Sequence, residues 1–593
     1  MRTLFCLIVA SLVAMSSIAA ATSIPGLAEE SREWDVDGLE PLLPHHETVA
    51  ERLYWQANPH LLPARDLRDD PPPAAPVRNC AEWEPCTGVL IRYPLGLPYN
   101  LLRDFDDDVF LHVIVSSAYV SQAQTNLAAN GVDMARVQFL IRPNDSIWTR
   151  DYGPWFVFDG QGQIAIIDHT YNRPQRPNDN LIPVYFAQDI GVPCHSHSMY
   201  HTGGNYMTDG AHIACSTRLV YDEAQTYNSM NQAAVDQLMD DYYGIEDYQV
   251  MDYIESGGIH HIDTWAKWLD EETVLVKDVW STHWTYGPLN QRATLMASLQ
   301  ASTGRNYRVF RVYCYNIGSN NPASYTNSLI LNRNIFVPLF GNSTYDQDAL
   351  AVYRAAAPGY QVRGYTYAGF LSDDALHCRA KGVMDTGMLR VAHTPVLADQ
   401  PADPVEITAH IRPHSGAALT SAVVCWRHGA GSWQETALEP AGDPWSFTAA
   451  IPAPAISDST HYYIAAYDQS GRSAGMPRVA PAHWYRFFHA GGPTSVPPAA
   501  AAVAALHPNY PNPFNPGTTF RFALAYPDYA ELLVLDLRGR RVRTLIAGDC
   551  PAGTTEVFWD GTDDGGKPVA SGTYRYRLRA AGLQYSRTAT LVK

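Results

Sequence analysis

The chain has 593 residues, of which 46% are hydrophobic and 17% charged, and its formal net charge is −18. A chain of this length exceeds what one hydrophobic core can organise, so several domains are expected. The composition excludes a largely disordered protein. The negative charge argues against nucleic acid as a partner, and an acidic surface could attract basic substrates.

The amino terminus predicts an exported protein. Met1-Arg2-Thr3 precedes an apolar run, and small residues follow, which is typical of a secretory signal peptide over residues 1–21. The run is too short for a membrane span, and no later stretch of spanning length lacks charge or proline. Eight cysteines remain after Cys6 leaves with the signal, and Cys80 and Cys86 are the nearest candidates for a disulfide.

Residues 22–76 are polar and rich in proline, and we expect a leader or linker with little core of its own. From residue 77 to residue 397, strand-like runs alternate with helix-like ones, which predicts an α/β domain. The predicted strands are 109–116, 137–141, 164–167, 274–279, 307–313 and 334–338, and the predicted helices are 121–130, 228–242 and 289–303.

After residue 397 the helical pattern disappears. Residues 401–490 contain four strand-like runs, at 406–411, 421–427, 446–451 and 461–468, which predict a small Ig-like β-sandwich. Residues 491–506 combine glycine, proline and alanine and predict a linker. A second small β domain is predicted over residues 507–593.

Three separated stretches carry residues of catalytic type: WTRDYGP at 148–154, GIHHIDTW at 258–265 and LHCR at 376–379. Written as an extended segment, His261 and Asp263 point to the same face. A thiolate at Cys378 would be a nucleophile, and a histidine can protonate a leaving group and then deprotonate water. The carboxylates of Asp151 and Asp263 suit a forked guanidinium. Together these residues predict attack of the thiolate on a guanidine.

These stretches, together with GGN at 203–205, resemble the pentein superfamily of guanidine-modifying enzymes. More narrowly, they resemble agmatine deiminases and Porphyromonas-type peptidylarginine deiminases, over residues 77 to about 389. The resemblance implies an α/β propeller of five pseudo-repeated units, with no metal or organic cofactor. The predicted fold is therefore a pentein-type five-bladed α/β propeller followed by two small all-β, Ig-like domains.

The resemblance also implies a role for each matched catalytic residue. Cys378 would attack Cζ as the nucleophile, and His261 would act as general acid and base. Asp151 and Asp263 would hold the guanidinium. After ammonia leaves, water would hydrolyse the cationic thiouronium to a ureido product.

Substrate binding is predicted at four further residues. By the resemblance, Trp148 walls the pocket beside the apolar stem and Asn327 lines it. In NRPQRP at 172–177, Arg173 and Arg176 could pair with the carboxylate of a peptide that ends in arginine, a group that agmatine lacks. The alternative is that both arginines are solvated or pair with Asp179.

The predicted function is that of a secreted or cell-surface arginine deiminase, which converts peptidyl arginine, and in particular C-terminal arginine, to citrulline and ammonia. One alternative is an agmatine deiminase that yields N-carbamoylputrescine. Others are an inactive pentein that serves as a binding module and a metal hydrolase built on His260, His261 and Asp263. The predicted export argues against agmatine, and the four intact catalytic residues argue against a decayed site.

The last domain carries NYPNPFNP at 509–516, LVLDLRGR at 533–540 and WDGTD at 559–563. It resembles the C-terminal sorting domain of the type IX secretion pathway, which is related to the FlgD-type Ig-like module. The resemblance implies export through the periplasm with the type IX machinery as a partner. The alternative is an Ig module retained for binding carbohydrate or another partner.

Overall fold

The computed structural model describes residues 33–58, 69–105, 109–254, 258–401, 403–454, 459–490, 504–507, 509–524, 528–536, 539–550, 553–580 and 583–592. The predicted signal peptide and most of the predicted linker 491–506 lie outside these residues. The chain divides into two compact units near residue 491. Among the described residues, no helix has both the length and the apolar character to cross a membrane.

The first unit contains five small sheets that come from residues 78–384. In strand order, the first sheet is Arg78–Asn79, Trp155–Phe158, Ile164–Tyr171 and Cys194–His201, and the second is Asp247–Met251, Ile213–Thr217 and Met207–Thr208. The third sheet is Ala266–Trp268, Thr273–Asp278 and Arg308–Tyr313, and the fourth is Leu329–Leu331, Asn334–Leu339 and Gln361–Thr366. The fifth sheet is Lys381–Met384, Cys86–Tyr93, Phe110–Val115 and Val137–Ile141. Each sheet contains an antiparallel pair. The five-bladed propeller stays a prediction.

Parallel neighbours occur in four of these sheets, and parallel strands need a crossover connection. Helices supply such connections, as in the segment Gln232–Tyr243. The Asn231 side chain caps its first turn, Gly244 ends it in the left-handed conformation, and its buried face includes Val235 and Met239. The helices of this region are Tyr99–Arg103, Val120–Ala129, Thr149–Tyr152, Ile182–Ile190, Leu219–Asn228, Gln232–Tyr243, Tyr286–Met296 and Ser343–Ala356.

The loops that build the candidate site occupy the same place in all five sheets. Each loop comes shortly before a strand that has an antiparallel neighbour. The residues concerned are Asp151 before Trp155–Phe158, Gly204 before Met207–Thr208, His261 and Asp263 before Ala266–Trp268, Asn327 before Leu329–Leu331, and Cys378 before Lys381–Met384. The fold therefore brings together residues that are far apart in sequence.

Several predicted elements match the structure closely. The strand predicted at 137–141 is Val137–Ile141, and the helix predicted at 121–130 is Val120–Ala129. The helix predicted at 228–242 is Gln232–Tyr243, which begins later because Asn231 is its N-cap, and the helix Leu219–Asn228 before it was not predicted. The prediction missed the helix Ser343–Ala356.

The interpretation of residues 22–76 as a leader with little core of its own needs correction in its described part. Leu42 is buried in the same hydrophobic cluster as the central strands, and the helix Val49–Ala57 follows it. Thr48 and Glu51 form a capping box at the start of this helix, with reciprocal hydrogen bonds of 3.0 and 2.9 Å. This segment therefore packs as part of the α/β domain.

A sandwich of two sheets completes the first unit. The strands of one sheet are, in order, Leu389–Ala392, Val405–Pro413, Ser446–Ile451 and Glu439–Pro440. The strands of the other are Gln400–Pro401, Tyr485–Ala490, Ser459–Asp468, Leu419–His428 and Gln434–Ala437, and Ser473–Met476 pairs with Ser459–Asp468. The strand Leu389–Ala392 pairs with Val405–Pro413. The predicted boundary at residue 397 therefore falls too late, because this strand already belongs to the sandwich.

The second unit also consists of two sheets. One sheet contains Ala504–Leu506, Thr518–Leu524 and Gly553–Trp559. The other contains Arg541–Cys550, Asp528–Leu535, Gly572–Ala580 and Leu583–Leu591. Their core includes the buried side chains of Phe520, Trp559 and Tyr576.

All eight cysteines after Cys6 are free thiols, so Cys80 and Cys86 do not form a disulfide in this structure.

Candidate active site

Asn327 organises the loop that carries Cys378. Its Oδ1 accepts hydrogen bonds from the backbone N–H groups of Ala375 at 3.0 Å, His377 at 3.0 Å and Cys378 at 3.3 Å. Its Nδ2 donates to Sγ of Cys378 at 3.2 Å. One amide therefore fixes both the backbone of this loop and the position of its sulfur.

The thiol of Cys378 is fully buried and faces carboxylates. Its Sγ lies 3.4 Å from Oδ2 of Asp263. Burial raises the pKa of Cys378 well above its usual value, and the charges of Asp263, Asp374 and Asp151 raise it further. Burial alone would also raise the pKa of Asp263, but hydrogen bonding to His377 and the charge of that ring hold it below its ordinary value. Without a bound cation, the sulfur is therefore a thiol beside an ionised carboxylate.

Asp151, His261 and Asp263 converge around Gly204. The backbone N–H of Gly204 donates to Oδ1 of Asp151 at 3.1 Å, and Nδ1 of His261 lies 3.6 Å from the same oxygen. A Cβ on Gly204 would lie 2.5 Å from Nδ1 of His261 and 2.7 Å from Oδ1 of Asp151. Only glycine fits at this close approach.

The local backbone differs from the one predicted for the His261 motif. His261 comes immediately before a single 3-10 turn, Ile262–Thr264, so the extended alternation that we used to pair His261 with Asp263 is wrong. The two side chains still converge, because both border the position of Gly204. His260 stacks on Tyr253 with ring centroids 4.1 Å apart.

The centre of the site contains buried polar atoms without a hydrogen-bond partner. They include both ring nitrogens of His261 and Oδ1 of Asp263. Burial lowers the pKa of His261 to about 3, so its ring is neutral, whereas burial and the charge of Asp263 raise the pKa of Asp151 to about 7. Such unpaired atoms are rare in protein interiors and suit a site that pairs with a ligand.

A chain of buried polar groups supports Asp263 from behind. The ring of His377 lies between two carboxylates, with Nδ1 2.8 Å from Oδ2 of Asp263 and Nε2 2.7 Å from Oε2 of Glu82. Lys267 donates to Oε1 of Glu82 at 2.6 Å, and Nη1 of Arg150 lies 3.6 Å from Oε2 of Glu82. Because a neutral imidazole has one N–H, the two contacts of His377 are both hydrogen bonds only when Glu82, His377 and Asp263 together hold two protons.

Sequence reasoning found His377 only as part of a motif and did not consider Glu82. No local pattern around Glu82 marks it, since its partners Lys267 and His377 are far away in sequence. The structure brings together the other predicted site residues, which are Cys378, His261, Asp151, Asp263, Trp148 and Asn327.

Arg173 and Arg176 do not form the predicted free clamp. Arg176 is fully buried, and its Nε lies 3.0 Å from Oε1 of Glu51. Nε of Arg173 donates to the backbone carbonyl of His45 at 2.7 Å. The alternative with Asp179 is also wrong, because both guanidinium groups bind the segment before the helix Val49–Ala57.

One group of potential metal ligands occurs among the described residues. His45, Asp374 and Cys378 each place one ligand atom within 4.8 Å of the others. Asp374 is already paired with Arg379, whose Nε lies 3.0 Å from both of its oxygens. The predicted alternative of a metal site at His260, His261 and Asp263 does not coincide with this group.

A buried thiol beside carboxylates, with a neutral histidine nearby, suits a hydrolase of a cationic substrate. Sequence comparison gives the family. A model of the Porphyromonas-type peptidyl-arginine deiminase family matches residues 78–381, a little over half of the chain, and the chain belongs to this family. It is therefore an enzyme of the deiminase class, a hydrolase of C–N bonds in guanidino groups.

Individual relatives are distant. The agmatine deiminase of Medicago truncatula is 24% identical over 313 residues, which cover 45% of this chain and 82% of that protein. The solved agmatine deiminase of Enterococcus faecalis is 19% identical, with a TM-score of 0.46, and the match covers 52% of this chain and 96% of that one. The FlgD Ig-like domain model matches residues 514–583. The family assignment rests on the sequence match, since the TM-score is low.

Proposed function

We propose that this enzyme hydrolyses the guanidinium of peptidyl arginine to a ureido group and ammonia through a covalent bond to Cys378. The observation that carries the proposal is the thiol of Cys378 beside the carboxylate of Asp263, with partnerless polar atoms on His261 and Asp263. A guanidinium between Asp151 and Asp263 would give these carboxylates forked N–H donors and a positive charge.

Binding of the cation would also prepare the nucleophile. The carboxylates help to raise the pKa of Cys378, and a guanidinium between them would offset part of their charge. His261 is neutral, because burial lowers its pKa, and can accept the thiol proton. The substrate thus generates the thiolate that attacks it.

The bonds then change in four steps. Sulfur of Cys378 bonds to Cζ, and the tetrahedral adduct collapses when protonated His261 gives its proton to the departing nitrogen, which leaves as ammonia. The cationic thiouronium remains beside Asp151 and Asp263. Water attacks Cζ as His261 takes its proton, and the C–S bond breaks to release the ureido product. Asn327 would position the sulfur throughout.

Peptidyl arginine is the substrate we favour, because the family model that matches this chain is that of a peptidyl-arginine deiminase and because the sequence predicts export. Preference for a C-terminal arginine loses its support, since Arg176 is engaged by Glu51. Agmatine is the second candidate. It is favoured by relatives that are named agmatine deiminases, such as that of Medicago truncatula.

We also propose that residues 507–593 direct the chain to the cell surface through the type IX pathway. The FlgD Ig-like match at residues 514–583 and the predicted signal peptide support this proposal. The test is a reporter protein fused behind the signal peptide and in front of residues 491–593, expressed in a bacterium with that pathway. Reporter retained in the periplasm would contradict it.

Product formation tests the catalytic proposal. The purified chain is offered a peptide ending in arginine, the same peptide with an internal arginine, and agmatine, and citrulline or N-carbamoylputrescine is measured. Cys378→Ala serves as the inactive control. Turnover of agmatine alone would reject the peptidyl substrate and keep the mechanism. Cys378 must be shown to be reduced in each protein. If neither the native chain nor the His45→Ala variant then turned over any guanidine, the result would reject both the peptidyl substrate and the mechanism.

A further inference from the structure

The site already contains a side chain from the chain's own amino-terminal segment. The ring of His45 lies on Trp148, with centroids 3.4 Å apart and an interplanar angle of 33°. Nε2 of His45 lies 3.8 Å from Oδ2 of Asp151, and the ring centroid lies 6.0 Å from that of His261. An imidazole therefore fills the space beside Trp148 and Asp151, where the proposed mechanism requires a planar cation.

Three consecutive carbonyl groups around His45 are held by arginines. Arg176 donates to the carbonyls of Pro44 at 2.6 Å and of His46 at 3.2 Å, and Arg173 donates to the carbonyl of His45 at 2.7 Å. These contacts recognise polypeptide backbone and do not depend on a carboxylate. The two arginines thus bind a peptide next to the nucleophile, and the peptide is a part of this chain.

A buried ion pair fixes the same segment. Glu51 is 1% exposed and Arg176 is 0% exposed, and the capping box with Thr48 orients the carboxylate toward the guanidinium. Trp148 adds a hydrogen bond from Nε1 to the carbonyl of Leu43 at 3.1 Å. Removal of one partner from a buried pair leaves an uncompensated charge, so the attachment of this segment is sensitive to single substitutions.

His45 occupies the site but does not form a hydrogen bond with Asp151. Its Nε2 has no hydrogen-bond partner, and 3.8 Å is too long for a hydrogen bond to Asp151. Burial, with the charges of His261 and Arg173, lowers the pKa of His45 well below its ordinary value, so the ring brings no positive charge to the carboxylate. A guanidinium would supply both the charge and the donors. The imidazole therefore acts as a weak stand-in that a cationic side chain can replace.

We propose that residues 42–51, the occluding segment, form a built-in pseudo-substrate that keeps the active site closed. When the segment leaves, the groove bordered by Trp148, Arg173 and Arg176 accepts a substrate peptide in its place, with an arginine side chain where His45 lies. This inference rests on the proposed function for its view of the substrate. The occlusion itself is a matter of access to Cys378 and can be measured separately.

The test measures how fast 2-chloroacetamidine, a small cation, alkylates Cys378 in the full mature chain, by intact mass. Buffers contain EDTA, because His45, Asp374 and Cys378 could hold a contaminating metal. We expect His45→Ala and Glu51→Gln to increase the labelling rate at least about tenfold, since a closed state reduces the rate by the fraction that is open. His46→Ala and Glu47→Gln are matched controls, because both side chains are exposed, and should label like the native chain.

Guanidine turnover is measured on the same five proteins. Faster labelling with a matching rise in kcat/KM for an arginine peptide supports both proposals. Faster labelling without turnover of any guanidine keeps the occlusion and rejects the deiminase reaction. Native rates of labelling in folded His45→Ala overturn the occlusion, whatever the turnover. If Glu51→Gln does not fold, the labelling rates of His45→Ala and of its control His46→Ala still test the occlusion.

Discussion

Nδ1 of His377 lies 2.8 Å from Oδ2 of Asp263, the same oxygen that faces the thiol of Cys378 at 3.4 Å. The opposite nitrogen of the ring contacts Glu82 at 2.7 Å. Because the ring is held at both ends, it prevents the Asp263 carboxylate from turning away from the thiol. The positions of the carboxylate and of the nucleophile are thus set partly by Glu82, which lies outside the centre of the site.

Glu82→Gln should lower kcat with little change in KM. The substitution removes the negative charge that Lys267, Arg150 and His377 share, and it leaves Asp263 less firmly held. Support of this kind is typically worth 10- to 100-fold, so we expect a decrease of about that size, or ~1.4–2.7 kcal/mol in the barrier. Steady-state kinetics over a range of pH would measure the decrease and reveal a shifted profile.

Glu84→Gln is the matched control for this variant. Glu84 is a buried carboxylate, and its partners are Arg78 and Arg390. It should lose thermal stability and keep kcat. Equal losses of kcat in the Gln variants of Glu82 and Glu84 would contradict a specific positioning role for Glu82.

The apparent KM for a guanidine should fall as pH rises through about 7. Burial and the charge of Asp263 raise the pKa of Asp151 to about 7. Below that pH the carboxyl is protonated and neutral, and above it the carboxylate attracts the cation. Weakening by up to about tenfold per pH unit is expected below pH 7. Initial rates in buffers of constant ionic strength would measure how the apparent KM depends on pH. Asp151→Asn should bind the guanidine weakly, and its KM should not change over the same pH range.

Gly204→Ala should abolish most activity while the fold is kept. The added Cβ would lie 2.5 Å from Nδ1 of His261 and 3.2 Å from Oδ2 of Asp263, so the catalytic groups must shift. Displacement by about 1 Å typically costs ~100-fold, which kcat/KM would reveal. Gly287→Ala is the control. Nothing lies within 4 Å of its Cβ, and it stands in the helix Tyr286–Met296, so activity should be native and stability slightly higher.

Two substitutions of Asn327 should separate its roles. Asn327→Ala removes the acceptor for the N–H groups of Ala375 and His377 as well as the donor to Cys378, so both stability and kcat should fall. Asn327→Asp keeps the acceptor but places a negative charge beside the sulfur. It should preserve more stability, by ~1–3 kcal/mol, and lose more kcat. Thermal melts and alkylation rates of the thiol would test this. A more stable Ala variant would contradict the assignment.

Sequence motifs found the centre of the site because its residues are chemically distinctive. Cys378, His261, Asp151 and Asp263 each belong to a short stretch that the reaction constrains. Local geometry was less reliable, since the 3-10 turn after His261 replaces the expected extended segment. A tight turn of three residues leaves no periodic pattern from which to predict it.

Long-range partners account for the main errors. Arg176 was expected to meet either a substrate or Asp179, but it meets Glu51, which belongs to a segment rich in proline and polar residues. The pattern of Thr48 and Glu51 does predict a helix start. Nothing in it indicates the buried arginine that this helix would meet. Glu82 escaped notice for the same reason, because its partners Lys267 and His377 lie 185 and 295 residues further along the chain.

The parts of the site precede strands of five different sheets, and the last of these strands, Lys381–Met384, pairs with the early strand Cys86–Tyr93. During translation, Cys378 therefore emerges from the ribosome after all its partners, and its own strand must return to one made almost 300 residues earlier. A nascent or unfolded chain has no assembled site. The protein cannot act on guanidines in the compartment where it is made until the strands Lys381–Met384 and Cys86–Tyr93 have paired.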